Sequence, residues 1–236
     1  MAYQSCFQRF ELKYMLTLSQ KEELLKVMAP YMRLDQYGRT TIRNVYFDTE
    51  NYRLIRRSIE RPLYKEKLRI RSYAQATGEG NVFVELKKKF KKVVYKRRLA
   101  MPLYKTLPWL AGDDSQMPSG QIAEEIRYFR NFYGGLRPAI FLTYEREAFY
   151  SLDGSEFRVT FDENILARET DMDLRSEVSG TALLPEGMVL LELKAPGAIP
   201  LWLTDFLSKH KIYKTSFSKY GTAYQTMLFK GGKLCV

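Results

Sequence analysis

The chain has 236 residues and is strongly basic, because 38 Lys and Arg residues against 27 Asp and Glu residues give it a formal net charge of +11. Hydrophobic residues at 45% and aromatic residues at 14% exclude a disordered basic tail, and the length suits one domain with a substantial core. With only two cysteines, near opposite ends, and one histidine, the sequence also excludes a disulfide framework, a zinc cluster and a serine triad.

The predicted elements are mostly strands in antiparallel hairpins, because apolar and polar residues alternate with a period of two. In chain order the predicted strands are Phe7–Leu16, Thr41–Asp48, Lys67–Tyr73, Val82–Lys89, Lys92–Met101, Ala139–Tyr150, Glu156–Glu163 and Met188–Lys194. Helices are predicted after a capping box at Ser19–Glu22, from Ser119 to Gly134, and over Ile199–His210 and Ser216–Phe229. Leu103–Pro118 is predicted to be loop-like with a short helix around Trp109, and Leu166–Pro185 is predicted to be polar and irregular. The pattern predicts an α+β fold built around a large sheet or barrel, in one domain over residues 1–236.

The excess positive charge belongs to one segment of the chain. Residues 61–105 contain 14 Lys and Arg against 3 Asp and Glu, whereas the rest of the chain contains 24 of each. A segment of this charge predicts an anionic partner. The first fifteen residues are charged and no apolar run reaches the ~18 residues of a membrane span, so we expect a soluble, cytoplasmic protein without a membrane span.

Charged residues recur on one face of six predicted strands. The sets are Arg9/Glu11/Lys13, Lys67/Arg69/Arg71, Glu85/Lys87, Lys96/Arg98, Arg158/Asp162 and Glu192/Lys194. Such a face can point to solvent, as in a half-exposed antiparallel sheet. Because six strands share the pattern and basic groups dominate, we predict that these faces line a closed barrel, with amphipathic helices packed outside. By the same period, Lys88 is predicted to point away from the face of Lys87. We expect Lys88, Lys91 and Lys92 at this hairpin to attract anionic substrate or nucleic acid without belonging to the site.

A barrel lined in this way favours phosphoryl-transfer chemistry. Like charges a few ångströms apart repel, and a polyanion relieves the repulsion because phosphate oxygens accept charge-assisted hydrogen bonds from Lys and Arg. Carboxylates beside a phosphate chain can hold Mg²⁺ or Mn²⁺, which bridge to phosphate oxygens. A basic cradle with acidic metal anchors needs no covalent protein intermediate.

Nine short motifs in a fixed order carry a family resemblance. They are Phe7–Tyr14, Val45–Thr49, Lys67–Arg71, Val82–Lys87, Val94–Arg98, Tyr144–Arg146, Phe157–Asp162, Leu191–Lys194 and Ser216–Tyr220. Together they span nearly the whole chain, which resembles the triphosphate tunnel metalloenzymes and most closely their VTC-type polyphosphate polymerase branch.

This resemblance implies an eight-stranded antiparallel tunnel that transfers the γ-phosphate of ATP to a growing polyphosphate chain and releases ADP. The residues implied to hold phosphates are Lys13, Arg69, Arg71, Lys87, Lys96, Arg146, Arg158 and, from the last helix, Lys219. Further ligand contacts are expected from Lys67, Arg98, Tyr144 and Lys194. Glu192 is implied to carry the metal, Mn²⁺ or Mg²⁺, while Glu11, Glu85 and Asp162 either bind metal or position neighbouring cations.

One departure from the family pattern bears on the choice of reaction. The hydrolase branch opens with Glu-x-Glu-x-Lys, whereas Arg9 stands at the first acidic position here. The change removes a metal ligand, so it argues against the hydrolase branch and fits the polymerase branch. A tunnel-type triphosphatase or polyphosphatase stays open as an alternative, as does a non-enzymatic basic polyanion-binding protein. We expect ATP and polyphosphate or triphosphate as partners and no nucleic acid, since few aromatics interrupt the basic faces. The sequence does not identify a membrane-protein partner.

Overall fold

The computed structural model of the protein describes residues 6–7, 10–91 and 93–229. The strands are β1 (Cys6–Phe7), β2 (Phe10–Thr17), β3 (Met32–Leu34), β4 (Thr40–Asp48), β5 (Tyr64–Ser72), β6 (Asn81–Phe90), β7 (Val93–Pro102), β8 (Arg137–Ser151), β9 (Arg158–Arg168), β10 (Thr181–Ala182) and β11 (Met188–Ala195). The helices are α1 (Leu18–Met28), α2 (Arg53–Ile59), α3 (Leu103–Ala111), α4 (Gln121–Tyr133), α5 (Leu201–Lys209) and α6 (Lys219–Ala223). A 3-10 turn at Asp114–Gln116 and a π turn at Tyr224–Leu228 complete the elements of this part of the chain.

All the strands join one antiparallel sheet, as the predicted α+β class requires. Its order is β1-β7-β6-β5-β4-β8-β9-β11-β2, with β3 paired to β8 and β10 to β9. The expectation of a closed, eight-stranded barrel needs correction. The sheet has eleven strands, and within the described residues no hydrogen-bonded pairing joins its two end strands, β1 and β2.

The two ends of the sheet nevertheless lie close together, because they are consecutive in the chain. Two residues separate Phe7 of β1 from Phe10 of β2, so their Cα atoms are at most about 11 Å apart. Across the same seam, Lys87 Nζ of β6 lies 3.1 Å from Glu11 Oε2 of β2. The sheet is therefore strongly curled, and one of its faces is concave.

The outer face of the curled sheet carries two hydrophobic layers. Beneath α3 and α4, Leu68 and Leu86 of the sheet pack in one core with Trp109 and Ile126 of the helices. Beneath α1 and α5, a second core is formed by the buried residues Leu16, Leu24, Val159, Leu191 and Leu203. Burying each such side chain contributes about 1.5–3 kcal/mol, so these helices fix the curvature from outside.

Helix α6 lies on the opposite, concave face, which corrects the prediction that all helices pack outside. Its Tyr220 stacks on Tyr46 of β4 with ring centroids 4.7 Å apart. The Tyr220 hydroxyl donates to the buried Asp48 at 2.9 Å, whose carboxylate also accepts the backbone N–H groups of Leu54 and Ile55 in α2. A buried carboxylate thus joins α6, β4 and α2 at one end of the concave face.

Several local predictions differ from the structure. Thr17, not Ser19, caps α1, and the Thr17 hydroxyl and the Gln20 side chain form the capping box. Helix α2 was not predicted. Helix α3 agrees with the short helix predicted around Trp109, but it begins directly after Pro102 and continues through Pro108. No helix within the described ranges is both long enough and apolar enough to cross a membrane.

Candidate functional site

The predicted charged sets meet on the concave face. Residues directly opposite each other in antiparallel strands share a face. Arg69 is opposite Glu85, and Glu85 is opposite Arg98, so charged residues of β5, β6 and β7 lie in one row. The pairings of Lys194 with Glu11 and with Arg158 do the same for β2, β9 and β11. Arg9, the first member of the first set, lies outside the described residues.

Three lysines form a second row beside the first, and we call Lys67, Lys87 and Lys96 the lysine row. Lys67 is opposite Lys87, and Lys87 is opposite Lys96. Burial and the charge of Lys87 lower the pKa of Lys67 to about 7. Burial also lowers the pKa of Lys96 to about 7, although Glu85 opposes the shift. Like charges directly opposite destabilise a sheet, so this row is strained by charge.

The neighbouring Glu85 is almost fully buried and shared by three cations. We call Glu85, Arg69, Lys96 and Arg98 the Glu85 cluster. Glu85 Oε2 accepts from Arg69 Nη2 at 2.7 Å, and Oε1 lies 2.7 Å from Lys96 Nζ and accepts from Arg98 Nε at 2.7 Å. Burial alone would raise the pKa of Glu85, but Arg69 and its neighbours hold it well below the usual range. Its contacts are those of a carboxylate that positions cations.

A second cluster joins β2, β8, β9, β11 and α6. It consists of Asp162, Glu192, Arg146, Lys219 and Lys13, and we call it the Asp162–Glu192 cluster. Arg146 makes a bidentate pair with Asp162, with both N···O distances 2.6 Å. Glu192 lies 3.1 Å from Lys219, 3.2 Å from Lys13 and 3.2 Å from Arg146. Burial would lower the pKa of Lys219, but Asp162 and Glu192 outweigh it and raise the pKa. Lys219, carried by α6, therefore reaches the concave face and contacts both carboxylates of the cluster.

Arg71 and Tyr144 connect the middle of the concave face. Arg71 Nε donates to Asn44 Oδ1 at 2.8 Å, and Nη2 donates to the Tyr144 hydroxyl at 2.8 Å. Lys219 Nζ lies 4.6 Å from the centre of the Tyr144 ring. Arg69 also donates to the hydroxyl of Tyr46 at 2.8 Å.

Four contributors to the site were missed by the sequence reasoning: Asn44, Tyr46, Phe217 and Ser218. The Phe217 carbonyl accepts from Lys13 at 3.0 Å, and Ser218 Oγ lies 3.2 Å from Lys67 Nζ. A usable signal existed for Asn44, a polar residue that shares one face of the predicted strand with the less polar Ile42 and Tyr46. Tyr46 and Ser218 lie inside two of the nine motifs, but only the folded structure shows that their side chains contact the cations.

The seam end of the concave face holds Arg158, Lys194 and Glu11. Arg158 is exposed and makes no ion pair with a carboxylate in the described part of the chain. Burial and the nearby Arg146 lower the pKa of Lys194 to about 8. The charge of Lys87 lowers the pKa of Glu11 to about 2, against burial and Glu192. Every site residue named from the sequence thus lies on this face, but the carboxylates are divided among separate groups.

The carboxylates fit a metal ion only in combination with a phosphate ligand. Within the described ranges, no group of three or more His, Cys, Asp or Glu residues is arranged to hold a metal. Glu192 and Glu11 are near neighbours on adjacent strands, because Glu192 is opposite Lys13 and Glu11 opposite Lys194. Both are ionised at neutral pH. Mg²⁺ commonly takes one or two carboxylates plus phosphate oxygens, so this pair fits such an ion with its substrate.

Comparisons with known proteins identify a family and solved structures that this chain resembles over most of its length. A family model described as the VTC domain matches residues 8–228. The structure of a putative adenylate cyclase from Bacillus halodurans is similar with a TM-score of 0.58 at 14% identity, covering 95% of this chain and 100% of that chain. HpAC1 from Hippeastrum, described as a putative adenylyl cyclase with a dominant triphosphatase activity, gives 0.57 at 14% identity, covering 93% and 96%. No curated protein sequence matches the chain.

The curled antiparallel sheet with its cationic concave face is a triphosphate tunnel fold, and the two solved structures share that fold. The chain belongs to the VTC domain family, because the family model covers nearly all of it. The resemblance in the nine motifs is thereby confirmed. Membership and fold together support a phosphate-handling function.

Proposed function

We propose that the protein is an ATP-dependent polyphosphate polymerase, which transfers the γ-phosphate of ATP to the end of a polyphosphate chain held on the concave face. The observation that carries the proposal is the lysine row. Lys67, Lys87 and Lys96 stand in directly opposed positions, although like charges there cost stability. A chain of phosphates lying along the row supplies the missing negative charge.

The reaction needs in-line positioning more than acid–base chemistry. A terminal phosphate oxygen of the polyphosphate chain attacks the γ-phosphorus of ATP, and a new P–O bond forms. The bond from the γ-phosphorus to the β,γ-bridging oxygen breaks, and ADP leaves with that electron pair. Polyphosphate grows by one unit and no proton has to move, so positioning and charge neutralisation are the protein's main contributions.

The two sides of the concave face supply different contacts in this scheme. Arg69 and the lysine row bind the polyphosphate chain on the β5–β7 side. Arg71, Arg158 and Lys194 extend the cationic surface around the curl. Arg146, Lys219 and Lys13 are presented by the Asp162–Glu192 cluster, where they meet the transferring phosphate and neutralise the charge on its oxygens.

A divalent cation fits between Glu192 and Glu11 together with phosphate oxygens of the substrate. Such an ion supplies additional positive charge where phosphoryl oxygens accumulate negative charge. Mn²⁺ and Mg²⁺ are both suited to this oxygen-rich environment. The identity of the metal is part of the proposal.

The ionised carboxylates of the concave face are poorly suited to activate water for hydrolysis. A hydrolase needs a base that activates water, and good bases have a pKa near the working pH. Neighbouring cations hold the pKa values of Glu85 and Glu192 well below the usual range, and that of Glu11 is about 2. These groups are weak bases, whereas a terminal phosphate is already anionic near neutral pH.

The direct test incubates the purified protein with γ-labelled ATP, a tripolyphosphate primer and Mn²⁺, and resolves the products by gel electrophoresis. We expect a ladder of labelled polyphosphate, with one ADP released per phosphate added. Orthophosphate without chain growth would assign a triphosphatase, and cyclic AMP would assign a cyclase; either result contradicts the proposal. Arg69→Ala is the loss-of-function variant, and Lys88→Ala, on the outward side of β6, is the matched control.

A further inference from the structure

A row of three buried polar residues crosses the outer face of the sheet, behind the concave site. Arg43 of β4 stands directly opposite Ser72 of β5 on one side and Thr143 of β8 on the other. Their exposed fractions are 7%, 5% and 0%. We call these three residues the outer row.

Each member of the outer row has a buried polar atom without a partner. Arg43 Nε, Ser72 Oγ and Thr143 Oγ1 form no hydrogen bond with any group in the described part of the chain. A buried polar group left unpaired lowers the stability of the fold, and such groups are rare in native proteins. Three in one cross-strand row point to a ligand that supplies acceptors.

The charge around the row is also unbalanced. Arg43 forms no ion pair with any described carboxylate. Burial lowers the pKa of Arg43, an effect that Glu177 opposes and Arg168 reinforces. Arg168 cannot serve as a partner and is itself fully used, because its guanidinium donates to the carbonyls of Thr170, Asp171, Glu177 and Ser179. Those bonds organise the segment after β9, and they leave Arg43 as the unpaired cation of this region.

We infer that the outer row is a binding site for a small oxyanion of the size of inorganic phosphate. The guanidinium of Arg43 offers a planar set of N–H donors, and the hydroxyls of Ser72 and Thr143 donate from either side. Arg matches the geometry of phosphate oxygens, and charge-assisted bonds of this kind are the strong ones. A water molecule could satisfy the hydroxyls but would leave the buried charge of Arg43 uncompensated.

This site is separate from the phosphate-binding face proposed above. Successive residues of a strand point to opposite faces. Asn44, Arg71 and Tyr144 follow or precede the outer row by one residue, and they bond to one another on the concave face. The sheet therefore lies between the two anion sites. When tripolyphosphate saturates the concave face, the outer row can still bind a second anion.

The deciding experiment is crystallographic and uses arsenate as a phosphate analogue. Crystals of the full chain, saturated with tripolyphosphate, are soaked in arsenate and measured at the arsenic absorption edge. We expect an anomalous peak for the arsenic atom at the outer row, with arsenate oxygens within hydrogen-bond distance of Arg43 Nε, Ser72 Oγ and Thr143 Oγ1. A water molecule, a chloride ion or an empty site there at saturating arsenate would overturn the inference.

A solution measurement gives an independent result. In phosphate-free buffer containing saturating tripolyphosphate, Arg43→Met should melt at or above the wild-type temperature, because it removes an unpaired buried charge. Added inorganic phosphate should then raise the melting temperature of the wild type and not that of Arg43→Met, with a reduced rise in the nearly isosteric Thr143→Val. Equal rises in all three proteins would contradict the site. The substitution Lys88→Met, at a half-buried position of β6 away from the outer row, is the control for nonspecific effects. Should Arg43→Met fail to fold, the arsenate peak and Thr143→Val still decide.

Discussion

The lysine row and the Asp162–Glu192 cluster lie on the same concave face, but their charges are balanced differently. In the cluster, two buried carboxylates hold three cations by short, partly bidentate pairs. In the lysine row, Lys67 contacts Ser218 and no described carboxylate, and Lys96 shares Glu85 with two arginines. The cluster is therefore held together without a ligand, whereas the row is relieved by one.

This difference separates two uses of basic residues on one surface. The cluster fixes α6 against the sheet, since Lys219 belongs to α6 and both its carboxylate partners belong to strands. The row is held in place by the strand register, and its positive charge is only partly neutralised, because Lys87 pairs with Glu11 and Lys96 shares Glu85 with two arginines. Removing charge should consequently have opposite effects on stability in the two regions.

The largest expected effect is on stability in the cluster. Asp162→Asn leaves Arg146 and Lys219 partly unpaired in a buried site, so it should lower the free energy of unfolding by about 3–5 kcal/mol. Lys67→Met in the lysine row should not lower it in anion-free buffer, because repulsion is removed. Urea unfolding of both variants checks the contrast. Similar losses in both would show that the two regions are not balanced differently.

The next effect concerns ligand affinity and compares neighbouring residues on opposite faces of β6. Lys87→Ala removes a charge-assisted contact of about 1.5–3 kcal/mol, so tripolyphosphate should bind about tenfold more weakly or worse. Lys88→Ala, one residue along, should bind as the wild type does. Titration calorimetry at fixed ionic strength measures both. An equal loss in the two variants would mean that binding follows the overall charge and not the concave face.

The pH dependence of stability sharpens the same comparison. The pKa of Lys67 is lowered to about 7 in the folded protein. The unfolded chain retains an ordinary lysine pKa near ~10.4 and binds more protons between these values, so stability rises with pH in this window. Relative to the wild type, Lys67→Met should be most favoured at pH 7 or below, and its advantage should shrink towards pH 10. Denaturant unfolding at a series of pH values tests this, and an advantage that grows with pH would contradict it.

The smallest effect is expected where the two regions meet at the seam. Glu11 pairs with the partly exposed Lys87 at 3.1 Å. Such pairs contribute roughly 0–1 kcal/mol, so Glu11→Gln should change the free energy of unfolding by less than about 1 kcal/mol. Its effect on metal-dependent turnover should be the larger one, because Glu11 is proposed to share the cation with Glu192. A stability loss as large as that of Asp162→Asn would assign Glu11 to the structural cluster instead.

The sequence predicted the charged face of the sheet because a period of two is local and needs no knowledge of the partner strand. Lys67, Arg69 and Arg71 could be placed together from their own strand alone. The inward position of α6 was implied only by the family resemblance, through Lys219. The residues of α6 themselves do not distinguish an inner helix from an outer one, because Tyr220 suits either position. The curl was expected, but the bridge from Lys87 to Glu11 joins residues 76 apart in the chain.

The outer row was also invisible in the sequence, for a related reason. Arg43, Ser72 and Thr143 belong to three distant segments, and only the register of β4, β5 and β8 makes them neighbours. Nothing in their local sequence separates them from ordinary strand residues. Strand register, like the division of the carboxylates into separate groups, depends on tertiary packing.

The most direct test of the central claim is a crystal structure of the protein with tripolyphosphate bound. Phosphate oxygens should lie within hydrogen-bond distance of Lys67, Lys87 and Arg69 on the concave face, with the chain directed towards Lys219. Tripolyphosphate bound instead on the outward side of β6, at Lys88 and Lys91, with the concave face empty, would contradict the account.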